Sequence, residues 1–259
     1  MHRLRHLYDI RLITPLLIVG AGVLASPSDA SGDRLASAEV RADIPLPAPP
    51  TAEVEAEDVA RTPVSSYDTA AWHGTPLGGI DAGVFSLALA SAERAVARGE
   101  ATPSTLTVID FAQPSTDPRL WVYDLGSREL LFEEHVSHGR NSGHNLPTLF
   151  SNEPESYKSS LGLFRAAEGY YGKHGYSLRL DGLEKGVNDR ARERAIVIHG
   201  AAYVNAATAK AHGRLGRSLG CPAVRPEISR PLIDAIKDGG LVFAYYPDPA
   251  WLETSTYLN

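Results

Sequence analysis

The chain predicts a mainly β domain, sandwich-like or barrel-like, with few helices, preceded by one helix and a disordered spacer. Three observations carry that expectation. Short runs rich in Val, Ile, Leu and aromatics recur through residues 103–248. Pro, Gly, Asn and Asp separate them, and only two segments show helical periodicity.

Taken in order, residues 1–30 read as a secretory signal. Arg3, Arg5 and Arg11 give a positive start, and Leu12 to Leu24 form an apolar stretch broken by Pro15, Gly20 and Gly22. Val23/Ala25 and Ser28/Ala30 offer the small-residue spacing of a cleavage site. Those residues allow cleavage and also retention as an anchor. No cysteine follows the apolar stretch, which excludes a lipid anchor there. The expectation is an exported protein of the periplasm or cell envelope, with no stable membrane insertion once the signal is cleaved. Residues 31–75 are rich in Ala, Pro, Glu, Asp and Ser and poor in aromatics, a composition that cannot offset its ordering entropy. They read as a flexible spacer.

Residues 76–102 form a helical lead-in. Val84, Leu87, Ala88, Ser91, Ala95 and Val96 share one stripe between Ile80 and Arg98, and Gly99 stands at the C-terminal stop. Strands are expected at Leu106–Phe111, Leu120–Leu125, Leu130–His135, Gly162–Ala166, Tyr176–Leu180, Ala195–His199 and Leu241–Tyr246. A second helix is expected from Arg230 to Lys237, capped by Ser229 and ended by Gly239-Gly240, with residues 249–259 as a C-terminal tail.

Chemistry concentrates at Cys221, the one cysteine of the 259 residues. It lies in Ser218-Leu219-Gly220-Cys221-Pro222, and upstream the apolar run Ala195–Ile198 ends in His199-Gly200. A thiol in a glycine-flanked turn and a histidine at a strand end suit a sulfur nucleophile with its base. Pro222 favours a helical turn there, whose N–H groups would stabilise a thiolate. The N–H groups of Leu219, Gly220 and Cys221 could form an oxyanion hole, and Ser218 could hydrogen-bond within the site. A buried structural cysteine and a core histidine are the plainer alternative. The pairing of both residues in these contexts weighs against it.

His199-Gly200 followed by Ser218-x-Gly220-Cys221 resembles the active-site signature of the L,D-transpeptidases, cysteine enzymes of bacterial peptidoglycan. Ser160-Leu161-Gly162-Leu163-Phe164 resembles the family's Thr-Pro-x-Gly-x-Phe element. The similarity runs from about Leu106 to Tyr246 and is greatest to the murein L,D-transpeptidase catalytic domain branch. That branch shares His138-Gly139-x-x-Ser142-Gly143, Phe150-Ser151-Asn152, Ser159-Ser160-Leu161-Gly162 and Ser218-x-Gly220-Cys221-Pro222-Ala223. Two departures stand out. Leu219 occupies the place of a commoner histidine, and the nearest arginine after the cysteine is Arg225 rather than a residue two positions on.

The resemblance implies packed β-sheets with the cysteine under a lid. It also implies chemistry in two half-reactions. Cys221 attacks the carbonyl at the L-centre of the third residue of a tetrapeptide stem and releases D-alanine. His199 takes the thiol proton, oriented by the Gly200 carbonyl. The thioester then passes to an amine of a second stem, giving a 3–3 cross-link, or to water. No cofactor is needed for such chemistry, and carbapenems are expected to acylate Cys221.

Other features of the sequence stand beside these. His135, His138 and His144 are close in sequence but lack a metal-ligand pattern, so no metal is expected; His138, in the branch motif, is expected to line the cleft. Arg217 is expected either to bind a stem carboxylate or to lie on a solvated surface. Tyr170–Tyr176 reads as a hairpin with exposed tyrosines or as a mobile lid, and Asn188-Asp189-Arg190 as a turn. With 25 basic against 31 acidic residues and no basic stripe, nucleic acid is not an expected partner. The competing functions are a transpeptidase on peptidoglycan stems, an L,D-carboxypeptidase or amidase using water, and a catalytically silent wall-binding protein. A metal-dependent peptidase is weakest.

Overall fold

The computed structural model describes residues 65–259, so the signal-like segment and most of the expected spacer lie outside the described residues. The end of that expected spacer belongs to the core. Thr69–Trp72 form a 3-10 turn capped by the Asp68 side chain, which accepts from the Ala70 N–H at 2.9 Å. Trp72 is buried, edge-on to Phe85 at 5.1 Å and to Tyr123 at 5.7 Å.

Helix α1 (Ala82–Ala97) starts at Asp81, whose side chain accepts from the N–H groups of Gly83 and Val84. Gly99, at φ +70°, follows its end as expected. Its buried stripe includes Phe85, Leu89 and Ala92 beside the expected Val84, Ala88, Ser91 and Ala95, while Leu87 and Val96 are half-buried. The stripe is therefore rotated toward the larger Phe85.

All seven expected strands form. They are β1 (Thr105–Asp110), β2 (Leu120–Asp124), β3 (Leu130–Glu134), β4 (Gly162–Gly172), β5 (Gly175–Gly182), β6 (Val197–Gly200) and β8 (Leu241–Tyr245). A two-residue strand, β7 (Ala223–Val224), was not expected. The mainly β class is as read from the sequence. Its strands join in one eight-stranded sheet, in the order β3-β2-β1-β8-β4-β5-β6-β7. What a sandwich divides between two sheets is joined here by the long β4. Its first residues pair with β8 and its length pairs with β5, with a register shift between Ala166 and Gly169.

Residues paired across strands share a face. Leu106, Tyr123 and Phe243 mark one face, which α1 covers through the Phe85–Tyr123 contact at 4.9 Å. Thr107, Val242 and Phe164 mark the other. There α3 (Pro226–Ile236) packs on β5 and β6, and Tyr176 of β5 donates to Asp234 at 2.8 Å. This helix begins a turn earlier than expected. Pro226 occupies the first position, and Ser229, expected as the cap, lies inside, donating to the Pro226 carbonyl at 2.9 Å.

Residues 249–259 are not a tail. Asp248 caps α4 (Pro249–Thr254) by accepting from the Trp251 N–H at 3.0 Å, and Trp251 and Tyr257 are buried. Trp251 Nε1 donates to Glu184 at 3.1 Å, and the other oxygen of this buried carboxylate accepts from the Leu163 N–H at 2.8 Å. The segment thus closes the sheet at the start of β4. Trp251→Ala should lower unfolding stability by about 3–5 kcal/mol, measured by urea denaturation, while Cys221 in the folded protein still alkylates at the wild-type rate.

Candidate active site

Strand β6 pairs in parallel with β7, His199 opposite Ala223 and Gly200 opposite Val224. Cys221 lies two residues ahead of that pairing, just outside β7. His199 and Cys221 both line one open cleft of about 770 Å³, with Tyr157, Tyr170, Lys173, His174, Arg194 and Arg217 among its other walls.

His199 is almost fully buried, and its Nδ1 lies 3.0 Å from the Gly200 carbonyl. The carbonyl can only accept, so Nδ1 carries the proton and Nε2 is left as the base. Burial holds the imidazole below the usual histidine range, the Gly200 carbonyl opposes that, and the charges of His174 and Lys173 add to the lowering. The His174 ring stacks on it, 4.4 Å between centroids and 22° between planes.

Cys221 is half-buried, and its thiol donates to the Ala195 carbonyl at 3.6 Å. Burial pushes this thiol up, against the Val197 N–H and the charges of Arg194 and Lys173. Burial thus disfavours charge on both groups. Among the described residues no hydrogen bond joins the two, so the thiol must turn from Ala195 to reach Nε2, a looseness common before substrate binds. Ala195 itself holds a left-handed backbone, φ +53°.

Ser218 shapes the turn. Its Oγ donates to the Cys221 carbonyl at 2.6 Å and accepts from the Gly220 N–H at 3.1 Å. Gly220 has φ +126°, and a Cβ there would lie 2.9 Å from the Lys158 carbonyl oxygen, so glycine is required. Two expectations change here. With Gly220's N–H bound to Ser218, only Leu219 and Cys221 remain of the three expected oxyanion donors. Pro222 leads into β7 rather than a helix. The short parallel ladder to β6 holds the chain extended.

His138 does not line the cleft. It is fully buried, with Nδ1 2.8 Å from Nη2 of Arg119. Arg119 is buried too, held by the carbonyls of Val136 and Gln113. Burial and the Arg119 charge push His138 down to about 3. Its role is support, since its carbonyl accepts from the Ser218 N–H at 3.0 Å. The rest of the branch motif works alongside it. Gly139 donates to Ser159 Oγ at 3.0 Å, and Ser159 Oγ donates to the Gly220 carbonyl at 3.1 Å.

Leu219 and Arg217 do line the cleft, Leu219 with half its surface exposed. Arg217 Nη1 donates to the carbonyls of Arg140 and Gly143, at 3.0 and 2.7 Å. Arg225 is elsewhere, paired with both oxygens of Glu134. The charge that most favours the thiolate comes instead from Arg194, which sequence reasoning missed. It donates to Ser151 O, Ser160 Oγ, Ser156 Oγ and Lys158 O, at 2.6, 2.5, 3.1 and 2.7 Å. In sequence it ends a run whose Arg190 and Arg192 make ordinary surface ion pairs, so nothing singled it out. The Tyr170–Tyr176 segment is a hairpin, and its tip residues Lys173 and His174 are cleft wall. His135 goes its own way, Nε2 on the Thr116 carbonyl at 2.9 Å. Among the described residues no group of His, Cys, Asp or Glu is arranged to hold a metal.

The family described as the L,D-transpeptidase catalytic domain matches residues 77–245, a span holding both His199 and Cys221. The chain belongs to that family. Solved structures similar to it include an L,D-transpeptidase from Mycobacterium smegmatis, at 15% identity over 55% of this chain and 59% of that one, TM-score 0.34. Another, from Stackebrandtia nassauensis, is 16% identical over 63% of this chain and 68% of that one, TM-score 0.35. A third, from Xylanimonas cellulosilytica, is 16% identical over 59% and 68%, TM-score 0.33. The chain thus spans less than two thirds of the first of these. No curated protein matches it.

Within this L,D-transpeptidase catalytic domain, two outcomes follow from the geometry. Removing the Ser218 hydroxyl leaves the Gly220 N–H without its partner, so Ser218→Ala should cost about 1–3 kcal/mol in urea unfolding and slow acylation of Cys221. Because burial raises the thiol, its alkylation by iodoacetamide should climb with pH and reach half-maximum above the ordinary thiol range. A plateau already present at neutral pH would instead reveal a preformed thiolate–imidazolium pair.

Proposed function

We propose that this protein is an exported cysteine transpeptidase that acts on tetrapeptide stems of peptidoglycan and forms 3–3 cross-links through a Cys221 thioester. The observation that carries the reading is that Cys221 and His199 line one open cleft, with the Gly200 carbonyl leaving His199 Nε2 as acceptor. As the sulfur bonds to the stem carbonyl, the thiol proton passes to Nε2. Collapse of the tetrahedral species breaks the bond to D-alanine, whose amine takes that proton back. The Leu219 and Cys221 N–H groups are the donors for the developing oxyanion. An amine of a second stem then displaces the thiolate, its proton leaving through His199. Arg217, whose Nη1 is already held by two carbonyls, is a pre-oriented guanidinium for a stem carboxylate. Export rests on the positive and apolar segments of residues 1–30.

Mixed with a disaccharide-tetrapeptide, the purified protein should yield dimers lacking one D-alanine by mass spectrometry. Cys221→Ala should yield none, and His199→Ala should be slower by about 10²–10⁴-fold. Tripeptide monomers alone would make it an L,D-carboxypeptidase, and no product from folded protein would favour a wall-binding role. A carbapenem should add its full mass to wild type, because β-lactam opening loses no atoms, and add nothing to Cys221→Ala.

A further inference from the structure

The β4–β5 hairpin turns through Lys173 and His174, with Gly172 paired to Gly175. Gly175, at φ +77°, supplies the left-handed residue that such a turn needs. The register of β5 on β6 sets Ser177 opposite His199, so the turn lies just past the end of β6. His174 is exposed to solvent, yet its ring lies flat on His199, 4.4 Å away. The Gly200 hydrogen bond fixes His199 in the plane of its ring, and it leaves rotation out of that plane to a contact on the ring face.

We infer that His174 is a positioning residue for the base His199: its ring holds the imidazole so that Nε2 meets the Cys221 thiol. The inference rests on His199 acting as base for Cys221, and is independent of what accepts the acyl group. When His199 takes the thiol proton its ring becomes positive, so a neutral His174 permits the step and a cationic one opposes it.

Other charged groups also face this pair. Lys173 shares the turn, and Arg194, Glu193 and Arg217 line the cleft around Cys221. Tyr170, Tyr157 and Tyr203 line it as phenols, and Glu155 with them. From α3, Arg230 and Lys237 are matched by Asp234. The depression of His199 by the His174 charge agrees with this arrangement.

The test compares wild type, His174→Ala and His174→Phe in the full chain, with thermal melting as the folding control. Two readouts need no peptidoglycan. One is the NMR pH titration of the His199 ring. The other is single-turnover acylation of Cys221 by p-nitrophenyl acetate, in which the sulfur–acetyl bond forms and p-nitrophenolate departs. With His174→Ala, His199 should titrate at higher pH and acylation should slow on the order of tenfold, as expected for a misplaced base. His174→Phe keeps a flat ring without charge. It should recover most of that rate and still leave His199 titrating above wild type. Unchanged titration and rate in His174→Ala would overturn the inference. So would equal slowing in both variants with the His199 titration unmoved, which marks a merely structural turn. If His199→Ala acylates as fast as wild type, the base assignment itself falls, and the inference with it.

Discussion

Two backbone pairings join β6 to β7, His199 with Ala223 and Gly200 with Val224. A two-residue ladder is a small element, yet His199 and Cys221 come from segments with a whole loop and helix α2 (Ala206–His212) between them. The pairing brings those segments together beside one cleft. Everything around the turn then works to keep that register. Ser218 closes the loop from within, while His138, Gly139 and Ser159 brace it from behind. The buried Arg119 sits one layer further back, its charge met by carbonyls and a neutral imidazole rather than by a carboxylate.

The electrostatics of the cleft follow from this packing. Burial disfavours charge on both Cys221 and His199, whereas the cations Arg194 and Lys173 favour a thiolate. Those opposing pulls suit a site that makes its nucleophile at the moment of attack. Arg194 can stay cationic while half-buried because four oxygens surround it.

The fold was legible wherever the sequence carried a long enough pattern. Seven strands and α1 announced themselves by apolar runs and caps, whereas β7 and α4 are too short for periodicity to register. The signal for α4 was Asp248-Pro249, a cap followed by a first-turn proline, at the edge of what looked like a tail. The site was legible as residue types and not as roles. Cys221, His199, Gly200 and Ser218 could be named because turn and strand-end contexts isolate them. His138 was noticed through its motif, but whether a histidine faces a cleft or a buried guanidinium depends on Arg119, nineteen residues away and invisible to local pattern. Arg194 alternates with surface arginines, and only the folded loop of Ser151 to Lys158 sets it apart.

The Cys221 thiol rests on the carbonyl of Ala195, a residue in a left-handed backbone. Peroxides and disulfides react with thiolates far faster than with thiols. A half-covered sulfur whose thiolate is disfavoured by burial is thus less open to oxidation. With one cysteine in the chain there is also no neighbouring thiol to rescue it through an intramolecular disulfide. The hydrogen bond to Ala195 and the burial that disfavours the thiolate thus also slow oxidation of the chain's single sulfur.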